Sequence, residues 1–274
     1  MAFSILNNIP SLMAQNQVAQ TNSSLQQTLA QLSSGSRINS GADDAAGLAI
    51  ANGLNANIAA LNQSVQNAND GIGLFQVADG ALSQVTTLLN RAVTLATEAS
   101  NGGLSSGQNS AINAEFQNIL TEVNNIGQNT TYNGTTVFSA SNTTIFMSDG
   151  GVASSIAAAT GALSKTSIGG ASFASVDLTT NSNAQTALGD LNTAIAAIAS
   201  QRGTIGATVN QLTAHTNVMN TQVQNLTSAV DGITAANIPQ EVANMSKLQI
   251  LTQTGMAALS QANQSQQAVL RLLQ

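Results

Sequence analysis

His215 is the only histidine in the chain, and cysteine is absent. HExxH zinc chemistry needs a second imidazole one helical turn away, and a Ser-His-Asp triad needs an acid to orient its base. The sequence supplies neither partner. A lone imidazole without partners reads as a helix-surface or interface residue. Asp43 and Asp44 are adjacent carboxylates, the residue type of general acid-base chemistry. They precede a helix and stand near Arg37, where acids serve a helix N-terminus. Gly71, Gly73 and Gly80 fall inside a helical repeat and not in a phosphate-cradling loop. Each costs a helix about 1 kcal/mol unless close packing needs its small size. No catalytic residue, cofactor or metal site is expected, and the chain does not read as an enzyme.

The elements that carry these residues are long helices. From Leu188 to Ile233, alternating steps of three and four residues land on apolar side chains everywhere except Arg202 and Thr216. A seam that sustained predicts a helix packed lengthwise on another, and at about 1.5 Å per residue it spans roughly 70 Å, the dimension of a rod. The same stepping from Leu54 to Ala96 is apolar except at Asp79 and Thr86, which makes the N-terminal and C-terminal thirds mates. A shorter helix carries Ile112, Phe116, Ile119, Val123 and Ile126. The expected fold is mainly α, an elongated antiparallel helical bundle or coiled coil formed by the two ends of the chain, with a small β region at one end. The expected domains are terminal helices over 1–40 and 236–274, a helical rod over 41–130 and 182–235, and a β-rich region over 131–181.

Only 7% of the 274 residues are charged, and Asn, Gln, Ser, Thr and Ala occupy the remaining surface positions. Solvated helix faces of a monomer normally carry Lys and Glu, so uncharged faces point to packing against further copies. Six basic residues, scattered in a chain of net charge −6, argue against nucleic acid as a partner. No basic amphipathic face and no long apolar run argues for a membrane. The first basic residue is Arg37, so the N-terminus does not open like a Sec signal, which suggests a cytosolic protein unless export uses another route.

Both prolines stand at helix starts, in Asn8-Ile9-Pro10 and Asn237-Ile238-Pro239. The first of these helices runs to about Ser33 with Leu25, Leu29 and Leu32 on one face. The last is apolar on two faces, one holding Ile238, Val242, Met245, Met256, Leu259, Leu270 and Leu273, the other Leu248, Leu251, Ala258, Ala262, Val269 and Leu272. One partner helix covers one seam, so the second predicts packing on neighbouring molecules and a partly unfolded tail in the free subunit. The expected subunit interface comprises Leu25, Leu29, Leu32, Met245, Leu251, Met256, Leu259, Leu270 and Leu273. Gly35 suits a helix end, and capping boxes are expected at Ser40 with Asp43, Ser105 with Gln108, and Ser182 with Gln185. Between 131 and 181, Asn133-Gly134 signals a turn, and Thr143 to Met147 and Ser172 to Leu178 read as short strands.

Leu32-Ser-Ser-Gly-Ser-Arg-Ile-Asn39, Asp43-Asp-Ala-Ala-Gly47, Ala49-Ile-Ala51, Asn67-Ala-Asn-Asp-Gly-Ile72 and Gly80-Ala-Leu82 resemble the N-terminal signature of bacterial flagellin. Asn244-Met-Ser-Lys247, Gln261-Ala-Asn-Gln264 and Val269-Leu-Arg-Leu-Leu273 resemble its C-terminal signature. The resemblance implies a minimal flagellin: an extracellular subunit of the flagellar filament, secreted through the flagellar type III export channel, that polymerises for swimming motility. It implies as partners other copies of the chain, the cap and hook-junction proteins, and the export chaperone and apparatus. A hook-filament junction protein of the same superfamily is the alternative. The positions matching the family's Toll-like receptor patch are Arg91, Leu95 and Glu115, which makes a host Toll-like receptor a further implied partner. Ala92, Val93 and Thr94 depart from the family's more charged pattern there, and the other reading of Arg91 is a residue that solvates the helix or bridges subunits.

Overall fold

The computed structural model describes residues 8–139, 142–148 and 153–272. In chain order the elements are α1 (Ile9–Ser34), α2 (Ala45–Ala99), α3 (Ser106–Asn129), β1 (Thr131–Tyr132), β2 (Thr135–Thr136), β3 (Thr143–Ser148), β4 (Ala153–Ala158), β5 (Leu163–Ser164), β6 (Ser167–Ile168), β7 (Ala171–Ser172), α4 (Asn181–Thr234) and α5 (Ile238–Leu272). They form two compact units: Met1–Ala56 with Asn225–Gln274, here the terminal unit, and Asn57–Gln224, here the middle unit.

Caps set the helix ends. Asn8 accepts from the Ser11 amide with Pro10 in the first turn of α1, and Gly35 closes α1 at φ 69°, where a side chain would be strained. Asn237 repeats the start for α5, accepting from the Gln240 amide. The capping box of Ser105 and Gln108 opens α3 as expected. Two expected boxes move. Asp44, not Ser40, caps α2 by accepting from the Gly47 amide at 2.8 Å, while the Asp43 carboxylate gathers the amides of Asn39 and Ser40 into a turn before the helix. Thr180, not Ser182, caps α4 by accepting from the Asn183 amide. In both places the chain turns back on an Asp side chain first, and the helix starts from wherever that turn ends.

In the middle unit α2 and α4 run antiparallel, since Asn181 reaches the Ser100 carbonyl while Arg202, a further six turns along α4, reaches Asp79. The buried stripe of α2 is Leu61, Ser64, Ala68, Gly71, Phe75, Ala78, Leu82, Val85, Leu89, Ala92, Ala96 and Ala99. Every second member matches the expected seam. Its alternate members fall one residue earlier than expected, at Ser64, Gly71, Ala78, Val85 and Ala92 in place of Val65, Ile72, Asp79, Thr86 and Val93. The same shift occurs on α4, where Ala187, Ala194 and Thr208 are buried and Leu188, Ile195 and Val209 sit half-buried beside them. Large residues seven apart interdigitate with small ones, so the backbones approach closely. α3 adds Phe116, Leu120 and Val123, all fully buried, to the same core.

The β segments lie in the middle unit. Asn133 and Gly134, with φ of 48° and 78°, make the expected hairpin turn between β1 and β2. β3 and β4 pair antiparallel, Thr143 opposite Ala158. This hairpin is strapped to α2: the Ser64 hydroxyl donates to the Ser148 carbonyl and accepts from the Ser148 amide, and the Asn67 side-chain amide donates to the Phe146 carbonyl. β5, β6 and β7 form a three-stranded sheet against α3. The strand expected from Ser172 to Leu178 stops at Ser172. Beyond it Val176 donates to the Phe173 carbonyl and Asp177 folds back on Thr179 and Asn183, a local alternative to ladder pairing.

The glycines inside α2 now separate. A Cβ on Gly71 would lie 2.7 Å from Ile145 Cγ1 of β3, and one on Gly73 would lie 3.0 Å from the Tyr132 hydroxyl, whereas one on Gly80 would meet open space. Gly80→Ala therefore stabilises the soluble subunit by up to about 1 kcal/mol in urea unfolding, and Gly71→Ala fails to show that gain.

Candidate assembly interface

The terminal unit is built on the antiparallel pair of α1 and α5. Asn8 donates to the Ala262 carbonyl and Ser11 to the Asn263 side chain at one end of the pair. Farther along, a Cβ on Gly255 would lie 2.7 Å from Val18 Cγ2, so this glycine lets the two helices touch. The turns at the other end are joined by backbone bonds: Arg37 donates to the Thr234 carbonyl at 2.7 Å, Ala236 to the Gly35 carbonyl at 3.0 Å, and Ser36 bridges Ala235. The Arg37 guanidinium donates to the Ile233 carbonyl at 2.9 Å, placing a cation on the C-terminal end of α4. Asp43 and Asp44 serve the turn and cap described above. The backbone amides of Asn39 and then Ser40 hold the Asp43 carboxyl below its ordinary value.

What the pair buries on itself is a mixture of small or polar residues and larger apolar ones. On α1 the more buried stripe is Ser11, Ala14, Val18, Thr21, Leu25, Thr28 and Leu32, and the Thr21 hydroxyl is satisfied by the Gln17 carbonyl of its own helix. On α5 it is Met245, Leu248, Thr252, Gly255, Leu259 and Ala262, a stripe drawn from both of the expected apolar faces. Large apolar side chains are left outside: Ile9, Leu12, Met13 and Leu29 on α1, Ile238, Val242, Ile250, Leu251 and Met256 on α5, and Ile50 at the start of α2. Among the described residues the middle unit exposes only Val77, Phe146 and Val218 in this class. Exposed apolar area so concentrated is the mark of an interaction surface.

The expected interface residues divide accordingly. Leu29, Leu251 and Met256 are exposed, and Leu25, Leu32, Met245 and Leu259 are half-buried within the pair. Leu273 lies outside the described residues, as does the side chain of Leu270. Ile9, Leu12, Met13, Ile50 and Ile250 were not anticipated. Their signal was present as apolar residues off the main seam of helices otherwise rich in Gln and Asn.

In the middle unit Arg91 and Glu115 form an ion pair at 2.7 Å, with side chains 54% and 47% exposed. Leu95, expected on the same accessible face, is 2% exposed. Four residues advance a helix by slightly more than a turn, enough here to carry Leu95 off the exposed face and into the core. Asp79 and Arg202 form a two-armed pair at 2.7 and 3.2 Å beside a groove lined by Phe75, Ile205 and Val209. The hydrogen bonds from the Arg202 guanidinium hold the Asp79 carboxyl below its ordinary value of 3.8. His215 is an exposed residue of α4. Among the described residues no group of His, Asp and Glu is arranged to hold a metal ion, and no described helix is long and apolar enough to cross a membrane.

The family description "Bacterial flagellin N-terminal helical region" matches residues 5–143, and "Bacterial flagellin C-terminal helical region" matches residues 188–273. The flagellin of Halalkalibacterium halodurans is 32% identical over 98% of this chain and 99% of its own. The flagellar filament 33 kDa core protein of Treponema phagedenis is 32% identical over 98% of this chain and 99% of its own. The flagellin of Listeria monocytogenes is 32% identical over 97% of this chain and 98% of its own.

A depressed carboxylate pKa contributes stability that is present above the ordinary value of 3.8 and lost as the pH falls through the lower folded value. Asp79→Asn therefore costs the soluble subunit less than about 1 kcal/mol at pH 7, because the pair is partly solvated. The difference between variant and parent in urea unfolding closes as the pH is lowered below 3.8.

Proposed function

As a member of the bacterial flagellin family the chain is a structural subunit of the flagellar filament and not an enzyme, and we propose that it elongates the filament by packing the apolar faces of α1 and α5 against neighbouring copies. The observation that carries this reading is the concentration of exposed large apolar side chains on the terminal unit, whose own seam mixes Ser, Thr, Ala and Gly with Leu, Val and Met. A heterologous contact that does not close on itself generates a helix of subunits, which fits a filament. The low charge of the chain supports the same reading, since copies packed side by side tolerate uncharged faces better than like charges. Filaments of this kind are extracellular, and secretion through the flagellar type III channel and service in swimming motility belong to the same proposal. So do contacts with the export chaperone and apparatus, the cap and the hook-junction proteins.

Recognition by a host Toll-like receptor is a separate part of the proposal, and it rests on Arg91 and Glu115. Arg91→Ala is expected to weaken receptor signalling by the soluble subunit. Unchanged signalling would remove the receptor from the partners and leave filament growth untouched.

Purified subunit added to short filament seeds is expected to grow long tubes in negative-stain electron microscopy. Leu251→Lys is expected to stop that growth while shifting subunit stability by no more than about 0.5 kcal/mol, because Leu251 is exposed before assembly. Normal growth by the Lys variant would exclude this face of α5 from the filament contact.

A further inference from the structure

Two of the exposed apolar side chains are methionines, one on each helix of the α1–α5 pair and about one helical turn apart along it. Met256 follows Gly255, the residue that touches Val18, and Met13 lies five residues before Val18 on the antiparallel partner. Met13 is 68% exposed and Met256 52%, whereas Met147 and Met219 of the middle unit are 3% and 7% exposed. Met245 is half-buried in the pair. A thioether is apolar and adaptable, well suited to a contact surface, and it is also the side chain that peroxides oxidise without needing an ionisable thiol.

We infer that Met13 and Met256 are modification sites at which peroxide oxidation of the free subunit blocks filament growth, and that assembly shields them. The inference rests on the proposed assembly surface. The thioether sulfur attacks one oxygen of hydrogen peroxide, the O–O bond breaks, and a sulfur–oxygen bond forms. The sulfur is oxidised by two electrons to the sulfoxide, and the peroxide is reduced to water. Each event places a strongly polar oxygen in the middle of an apolar face, which must then be desolvated for the face to pack. The chain has no cysteine to consume the oxidant first.

The test treats soluble subunit and finished filaments with the same dose of hydrogen peroxide and locates each mass gain of about 16 Da by tandem mass spectrometry. In the soluble subunit Met13 and Met256 gain oxygen before Met147 and Met219, and in filaments that advantage disappears. Oxidised subunit no longer extends seeds, and methionine sulfoxide reductases restore extension. A variant carrying Met13→Leu and Met256→Leu, close in volume and inert to peroxide, extends seeds before and after treatment. Oxidation in any other order, equal oxidation of these two residues in filament and subunit, or loss of growth by the treated double-Leu variant overturns the inference. Failure of untreated subunit to extend seeds counts instead against the proposed assembly surface, and the mass spectra of the soluble subunit still decide whether Met13 and Met256 are the reactive methionines.

Discussion

The structure depends on close approach between helices that return antiparallel, and that approach depends on small side chains at regular intervals. Along α2 the larger Leu61, Phe75, Leu82 and Leu89 alternate with Ser64, Gly71, Ala78 and Ala92, and α4 answers with Leu191, Ile198, Ile205 and Leu212 set among Ala187, Ala194 and Thr208. A large residue fills the hollow left by a small one, so each fully buried Phe or Leu contributes about 1.5–3 kcal/mol without forcing the backbones apart. The same device admits the β segments. Gly71 makes room for Ile145 of β3, and Gly127 of α3 makes room for Leu163 of β5.

The terminal unit uses the device with a different outcome. Its pair is also held close, by Gly255 against Val18, but the positions between the helices are filled by Ser11, Thr21, Thr28 and Thr252 as much as by Leu and Met. Hydroxyls that bond their own helix carbonyls can be buried at little cost, yet they add little apolar contact. The backbone bonds between Gly35–Arg37 and Thr234–Ala236 therefore carry much of the pair's register. Other large apolar residues, Leu12, Leu29, Ile250 and Leu251 among them, stand exposed on the outside of the pair.

Charge plays a local part. Asp44 caps α2, Asp43 and Asp177 tie turns together, Arg37 meets the end of α4, and Arg91 and Arg202 each hold one acid. These contacts are exposed or half-exposed and individually modest. Their value lies in setting where helices begin and how they are registered, and they leave the long helix faces sparsely charged.

The sequence by itself determined the helical character, the seven-residue repeat, the helix starts at Pro10 and Pro239, the helix end at Gly35, the capping box at Ser105, the turn at Asn133-Gly134 and, through the motifs at both ends, the family. Each of these depends on residues within a turn or two of one another, so local chemistry is enough to state them. Only the tertiary structure decided which residue of each adjacent pair points inward: Ser64 over Val65, Gly71 over Ile72, Ala92 over Val93. It also decided that Leu95 is buried while Arg91 and Glu115 are exposed, and that α5 buries a stripe drawn from both of its apolar faces. A helix touched on more than one side buries whichever stripe its neighbours can reach. The antiparallel partners of α2 and α5 come from distant parts of the chain, and in the terminal unit a mixed stripe went inside while large apolar residues such as Leu12 and Leu251 stayed exposed.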